Sequence, residues 1–281
     1  MTERRFKQVD VFTAVPLMGN PVAVVLDAHG LSDADMQRMA AWTNLSETTF
    51  VLPPTDPAAD YRVRIFTPRA ELPFAGHPTL GTAHAVIEAG LAAPKDGALV
   101  QQCAVGLVGV AVEAGGLSFT LPAHRFETAP EPAVIVTALG GADVVRSAPR
   151  IVNVGPRWVI AELATAALVE TLEPDLPALA AYDRAHATTG LTVYAAGGAG
   201  DITVRSFAPA DGISEDPVCG SGNGAVAAFR LDAGQVSPGE AYLSSQGRQV
   251  GRDGRVAVRF GAETIHVGGA CVTLIDGILR L

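Results

Sequence analysis

Cysteine is scarce in this chain: three residues, Cys103, Cys219 and Cys271, odd in number and far apart. That spacing excludes a disulfide framework and a cysteine-built zinc cage, and fits a cytoplasmic protein. Lysine is scarcer still, supplying two of 20 basic residues against 29 acidic ones, for a net charge of −9. So acidic a surface repels phosphate backbones and anionic lipid, so neither nucleic acid nor a membrane surface is expected as a partner. The remaining 18 basic residues are arginines, suited to bidentate recognition of carboxylates in local pockets. Long apolar runs are missing too. Pro21 to Leu26 is far too short to span a bilayer, and the first seven residues lack the apolar core of a signal peptide. No Walker motif, H-E-x-x-H or clustered Cys/His set occurs, so neither a metal nor a cofactor is expected. Hydrophobic residues, by contrast, make up 48% of 281 positions. That is ample for a sizeable core in two modest domains or one large one.

The dominant pattern is short strands broken by Gly, Pro and Asp. Val9–Phe12, Val22–Leu26, Thr49–Leu52 and Tyr61–Phe66 read as strands, the last with the clean alternation of a half-buried antiparallel strand. Ser32 with Asp35 forms a capping box, and Leu31 with Met36 a hydrophobic staple, predicting a helix to about Trp42. Pro78 at a first turn and Gly90 past the end bracket a second helix, apolar on most faces and therefore surrounded by other structure. The second half repeats the plan. Strands are expected at Ile151–Val154, Trp158–Ile160, Ile202–Phe207, Tyr242–Leu243 and Val256–Phe260, with a helix from Gly224 to Leu231 stopped by Gly234. Arg64-Ile65-Phe66-Thr67-Pro68 and Arg205-Ser206-Phe207-Ala208-Pro209 each precede a glycine loop and an apolar helix. An R-x-F-x-P duplicate at matching points indicates one unit used twice.

The two glycine loops are Phe74-Ala75-Gly76-His77-Pro78-Thr79-Leu80-Gly81 and Glu215 to Ala225. Glycine lets backbone approach a ligand closely, and free N–H groups at a helix start attract anions. The second loop formally fits a relaxed dinucleotide fingerprint, but Ser214 to Pro217 is turn chemistry where that fingerprint needs a strand. A G-x-S-x-G nucleophile elbow fails because Cys219 takes the first glycine position. The titratable candidates are Glu47, His77 and Asp216. Apolar neighbours of Glu47 would raise its pKa toward what general acid/base work requires. On local sequence alone each also has a plain structural reading: a solvated strand-edge carboxylate, a capping histidine and an Asx-turn. His84 reads as a packed core histidine.

Several blocks together resemble the PhzF-like isomerases, the phenazine-biosynthesis F-type family. They are Val11-Phe12-Thr13, Gly19 to Val25, Asn44-Leu45-Ser46-Glu47-Thr48, Phe74 to Gly81, Glu215-Asp216-Pro217-Val218 with Gly220-Ser221-Gly222, Gln246-Gly247 and Gly268-Gly269-Ala270. The resemblance implies an α+β fold similar to diaminopimelate epimerase. Two pseudo-symmetric domains each wrap a curved, mostly antiparallel sheet around a central helix, with the active site in the cleft between them. The expected boundaries are 1–121 plus 265–281 for the first domain, 130–264 for the second and 122–129 for the linker. The resemblance makes Glu47 the proton-shuttling carboxylate. His77 and Asp216 become groups that orient substrate and assist proton movement. Ser46 and Ser221 become polar substrate contacts, and Gly76, Gly220 and Gly222 members of loops that hold the substrate carboxylate. It implies cofactor-free isomerisation of a small carboxylate-bearing metabolite, and a homodimer. The related epimerases use two cysteines, one from each loop; here Ala75 stands at the first position and Cys219 at the second. The alternatives are a Cys219-dependent epimerase or racemase, and a catalytically silent ligand-binding or interaction protein.

Overall fold

Alternation in Tyr61–Phe66 becomes the strand it predicts, with Tyr61, Val63 and Ile65 buried and Arg62 and Arg64 half-exposed. The computed structural model describes residues 2–281 and divides into two units, one up to Thr120 together with Gly268–Leu281, the other Leu121–Val267. The first unit contains β1 (Glu3–Val11), β2 (Asn20–Val25), α1 (Asp33–Thr43), β3 (Thr48–Leu52), β4 (Tyr61–Phe66), β5 (Glu71–Leu72), α2 (Gly76–Glu88), β6 (Ala98–Cys103), β7 (Gly106–Glu113) and β8 (Gly116–Thr120). The second begins with β9 (Arg125–Thr128), α3 (Pro132–Ala138), β10 (Arg150–Asn153), β11 (Arg157–Glu162), α4 (Ala166–Thr171), α5 (Leu176–His186) and β12 (Gly190–Ala196). It continues through β13 (Ile202–Ala208), β14 (Ile213–Asp216), α6 (Gly220–Asp232), β15 (Ala241–Gln246) and β16 (Gly254–Phe260). Then β17 (Ile265–Gly269) leads to β18 (Cys271–Arg280), which pairs antiparallel with β1 from Val11 to Glu3. No helix among the described residues is long and apolar enough to cross a membrane.

The duplication extends to six strand pairings in each unit. In the first unit β1–β2 is antiparallel, β2–β3 parallel, β3–β4 and β4–β5 antiparallel, β4–β6 parallel and β6–β7 antiparallel. In the second, β10–β11, β11–β12, β12–β13, β13–β14, β13–β15 and β15–β16 repeat that series of directions. The R-x-F repeat has a physical reason. Arg64 on β4 makes two hydrogen bonds of 2.7 Å to Glu71 on β5, with its guanidinium 5.1 Å from the Phe66 ring centre. Arg205 on β13 does the same to Glu215 on β14, at 3.0 and 2.7 Å, and lies 4.9 Å from the Phe207 ring. Each bidentate fork fastens the short hairpin that feeds a glycine loop. The second copy is nearly inaccessible, and its Nη1 donates to the Val169 and Leu172 carbonyls, so each guanidinium nitrogen of the buried charge has an acceptor.

Each unit has its sheet between two helical layers. In the first, α2 is the inner helix, touching β1, β2, β3, β6, β7, β8 and β18, and ten of its 13 residues are buried. Gly81 makes that closeness possible: a Cβ there would stand 2.3 Å from Val22 Cγ1 and 2.9 Å from Val11 Cγ2. On the opposite side α1 sets Met36, Met39 and Ala40 against Val25, Phe50 and Phe66. Its capping box is formed in both directions, between Ser32 and Asp35, as read from sequence. In the second unit α6 is the inner helix, and α3, α4 and α5 pack against β10 to β13 through Ile135, Leu139, Val169, Leu179 and Tyr182.

These three outer helices are absent from the sequence expectation. Pro132 and Pro177 look like breakers, yet both sit in a first turn, where the missing N–H is no loss. The expected linker 122–129 also differs. Arg125–Thr128 forms β9 and pairs antiparallel with β10. Flanking prolines suggested a tether, but Glu127 bonds Arg157 and the Arg150 guanidinium stacks 4.7 Å from the Phe126 ring, which draws the segment into the sheet.

Candidate active site

In the first unit, Ser46, Glu47, Gly76 and His77 come together. Asn44, in a left-handed conformation, ends α1 and turns the chain so that Glu47 immediately precedes β3. Thr82 on α2 donates a 2.8 Å hydrogen bond to Thr49 on β3. This fastens the strand that begins after Glu47 to the helix whose second residue is His77. The result is a Glu47 Oε2 to His77 Nε2 separation of 3.4 Å, with side-chain exposures of only 15% and 7%. Burial pushes the Glu47 carboxyl up to about 7, against an opposing hydrogen bond from Ser46. Desolvation penalises the ionised form and dominates here. A carboxyl in that range holds its proton about half the time at neutral pH, so it can both take and return one.

Gly76 opens α2, whose N-cap is Ala75 and so offers no side-chain cap to the first turn. A Cβ on Gly76 would lie 2.6 Å from Phe119 Cζ, so the ring on β8 itself demands glycine. Phe74 meets Phe119 edge-on at 5.6 Å. One turn further along, Gln101 donates to Thr79 Oγ1 at 2.9 Å and accepts from the Tyr61 hydroxyl at 3.2 Å, tying the start of α2 to β6 and β4. His84, further along the helix, bonds Thr273 and is half-buried where a packed core histidine is expected.

In the second unit, Asp216, Gly220, Ser221 and Gly222 share one loop and helix start. Asp216 Oδ1 accepts from the Val218 N–H at 3.0 Å, an Asx-turn at the end of β14. Gln246 Oε1 accepts from the Cys219 N–H (3.2 Å) and from Asn223 (2.8 Å), while Gln246 Nε2 donates to the Asp216 carbonyl (2.9 Å). The Cys219 and Asn223 bonds are buried and the Asp216 bond half-buried, so one side-chain amide ties three points of the loop and helix start together. Cys219 is the N-cap of α6, and its sulfur accepts from the Gly222 N–H at 3.2 Å. The Gly222 amide is therefore spent within the loop, and Gly220 and Ser221 supply the other first-turn amides of α6. Burial, together with the nearby Asp216 charge, pushes the Cys219 thiol far above its ordinary range. A thiol so placed keeps its proton and is a poor nucleophile.

Ser221 occupies the second position of α6, as His77 does in α2. Its Oγ accepts a 3.0 Å hydrogen bond from the indole N–H of Trp158 on β11. Sequence reasoning did not connect Trp158 or Phe119 to the loops, since each lies dozens of residues away on another element. The only signal available was Gln246-Gly247, present as a matching block without a role. Among the described residues no three His, Cys, Asp or Glu side chains are placed to hold a metal ion.

The paired motif of strand hairpin, glycine loop and buried helix defines a fold shared with racemases and isomerases. A hydroxyproline epimerase from Agrobacterium vitis matches it with a TM-score of 0.67 over 99% of this chain and 92% of its own, at 15% identity. A phenazine biosynthesis protein of the PhzF family from Bacillus anthracis matches more closely, with a TM-score of 0.87 at 26% identity over the full length of both chains. Residues 9–277 match the PhzC-PhzF family of phenazine biosynthesis-like proteins, and the chain belongs to that family. Among its relatives are antisense-enhancing sequence 1 of Schizosaccharomyces pombe, 39% identical over 99% of each chain, and trans-2,3-dihydro-3-hydroxyanthranilate isomerase of Pseudomonas aeruginosa, 38% identical over 91% of this chain and 90% of the other.

Proposed function

We propose that this protein is a cofactor-independent isomerase that moves a proton between carbons of a small carboxylate-bearing metabolite, with Glu47 as the proton carrier. The observation that carries the reading is the shielded Glu47 carboxyl, raised to about 7 and 3.4 Å from His77 Nε2. The ionised carboxylate takes the proton from an acidic C–H, leaving an electron-rich intermediate. The protonated carboxyl then returns it at another carbon, so the step balances without oxidant, reductant or co-reactant. His77 and Asp216 orient the substrate, Ser46 and Ser221 supply polar contacts, and amides at Gly76 and Gly220 donate to the carboxylate or to charge developing beside it. Homology supports the reaction class, and the P. aeruginosa relative makes trans-2,3-dihydro-3-hydroxyanthranilate the first substrate to try. A homodimer in the cytoplasm is the expected setting.

The reading is preferred over Cys219-centred epimerisation because that sulfur serves as a helix cap and holds its proton. Incubation with candidate cyclic, amino and hydroxy acids in D₂O, followed by NMR, tests it. Deuterium should enter a substrate C–H with the wild type and not with Glu47→Gln. Exchange that survives Glu47→Gln removes Glu47 from the role. Exchange lost on alkylation of Cys219 but kept in Glu47→Gln would transfer the role to the thiol.

A further inference from the structure

Ser221 is ordinarily ambivalent: a hydroxyl has one hydrogen to give and two lone pairs to receive with. Its surroundings in the second unit remove the ambivalence. The indole of Trp158 can only donate, and it points Nε1 at Ser221 Oγ from 3.0 Å. Trp158 is 3% exposed on β11, and a Cβ on the facing Gly190 would meet Trp158 Cζ3 at 2.9 Å, so the ring has no room to turn away. The other neighbour of Ser221 Oγ is Cys219 Sγ at 3.6 Å, which is already receiving the Gly222 N–H. Either atom can donate across that contact, and Cys219 has Ser206 as a further hydrogen-bond partner. With the indole donating on its inner side, the hydroxyl oxygen already serves as an acceptor there and its own hydrogen is the group it can offer outward, where Ser221 remains partly accessible.

We propose that Trp158 is a positioning residue that sets Ser221 as a hydrogen-bond donor toward the substrate's carboxylate, and so favours a carboxylate over a carboxamide at that point. This rests on the reading of Ser221 as a substrate contact. A carboxylate oxygen only accepts, whereas an amide can present its own N–H, which a hydroxyl committed to donating cannot receive well. Donation from the indole also polarises the Ser221 O–H and strengthens the bond it gives.

The two tryptophans make the test direct, since Trp42 is 77% exposed and Trp158 buried. In a ¹⁵N–¹H spectrum their indole peaks are assigned with Trp42→Phe. Without any ligand, Ser221→Ala should move the Trp158 indole peak and leave that of Trp42 in place. Binding of benzoate and anthranilate, and of their amides, is then titrated. Loss of a hydrogen bond to a charged group costs about tenfold to a hundredfold in affinity. Ser221→Ala should weaken carboxylate binding by that factor, and Trp158→Phe by about threefold to tenfold. The double variant should match Ser221→Ala, and amide binding should be unchanged by Trp158→Phe. Should Trp158→Phe fail to fold, benzothienylalanine at position 158 replaces N–H by sulfur at the same volume. Weakened binding in Ser221→Ala beside wild-type binding in the position-158 variant overturns this proposal alone. Wild-type binding in Ser221→Ala, or no carboxylate binding by the wild type, overturns the assignment of Ser221 and this proposal with it.

Discussion

Replacing Glu47 by Gln should make the protein more stable as pH rises while abolishing proton exchange. The amide copies the shape of the neutral acid and cannot ionise. In the folded chain the carboxyl titrates at about 7 against an ordinary 4.5 because burial disfavours its charge. A group whose pKa is raised on folding contributes its stability at low pH and loses it as pH climbs through the folded value. The gap between 4.5 and about 7 corresponds to roughly 3 kcal/mol, at about 1.4 kcal/mol per pH unit. With the side chain only 15% exposed, little of this is screened by solvent. The stability advantage of Glu47→Gln should therefore be near zero at pH 4, grow mainly between pH 4.5 and 7, and level off at about 3 kcal/mol by pH 9. Urea unfolding of both proteins by circular dichroism, at pH steps across that range, measures it. A pH-independent difference, or a less stable Glu47→Gln at pH 9, would refute the raised carboxyl and with it the proton carrier.

Asp183 is 3% exposed, with one oxygen bonded to the Thr188 hydroxyl and the other unpartnered, and burial pushes its carboxyl up to about 6. Asp183→Asn should stabilise the second unit by about 1–3 kcal/mol at pH 8 and by little at pH 4, read as a pH-dependent shift in the urea midpoint. Gly81→Ala should cost about 1–3 kcal/mol, measured the same way, because the 2.3 Å clash with Val22 exceeds the helix-propensity gain of about 1 kcal/mol. Cys219→Ser should keep the α6 cap, with stability within about 1 kcal/mol and deuterium exchange within about threefold of wild type. A collapse of exchange in that variant would point to thiol chemistry. Lys7 is 4% exposed and binds Glu88 and Asp276 at 2.8 and 2.7 Å. Lys7→Met should therefore destabilise the first unit, and the deficit should shrink in acid, where Glu88, held below its ordinary pKa, becomes protonated even in the wild type.

Local chemistry was the legible part. The Ser32–Asp35 cap, the alternation in β4 and the glycine stops at 90 and 234 act over a few residues, and their structural outcome follows from nearest neighbours. The R-x-F-x-P repeat was visible as a pattern, but its cause, an arginine clamped to a glutamate on the next strand, depends on a hairpin. The outer helices α3 and α5 were hidden by prolines at their starts, because a proline reads as a breaker until the first turn around it is known. In the site, Glu47 and His77 were legible as residue types in a familiar block, yet nothing near position 47 in the chain fixes how well water reaches it.

The sequence by itself determined many of the strands and the helices α1, α2 and α6, where two glycine loops precede apolar helices, and which side chains are candidates for chemistry, because those properties are written in spacings of two to four residues. Only the tertiary structure decided what each candidate can do. The raised carboxyl of Glu47 depends on being enclosed beside α2, the raised thiol of Cys219 on burial near Asp216, and the hydrogen-bond partner of Ser221 on an indole 63 residues away. Desolvation and hydrogen-bond direction are set by whichever atoms surround a group, and those atoms come from distant parts of the chain.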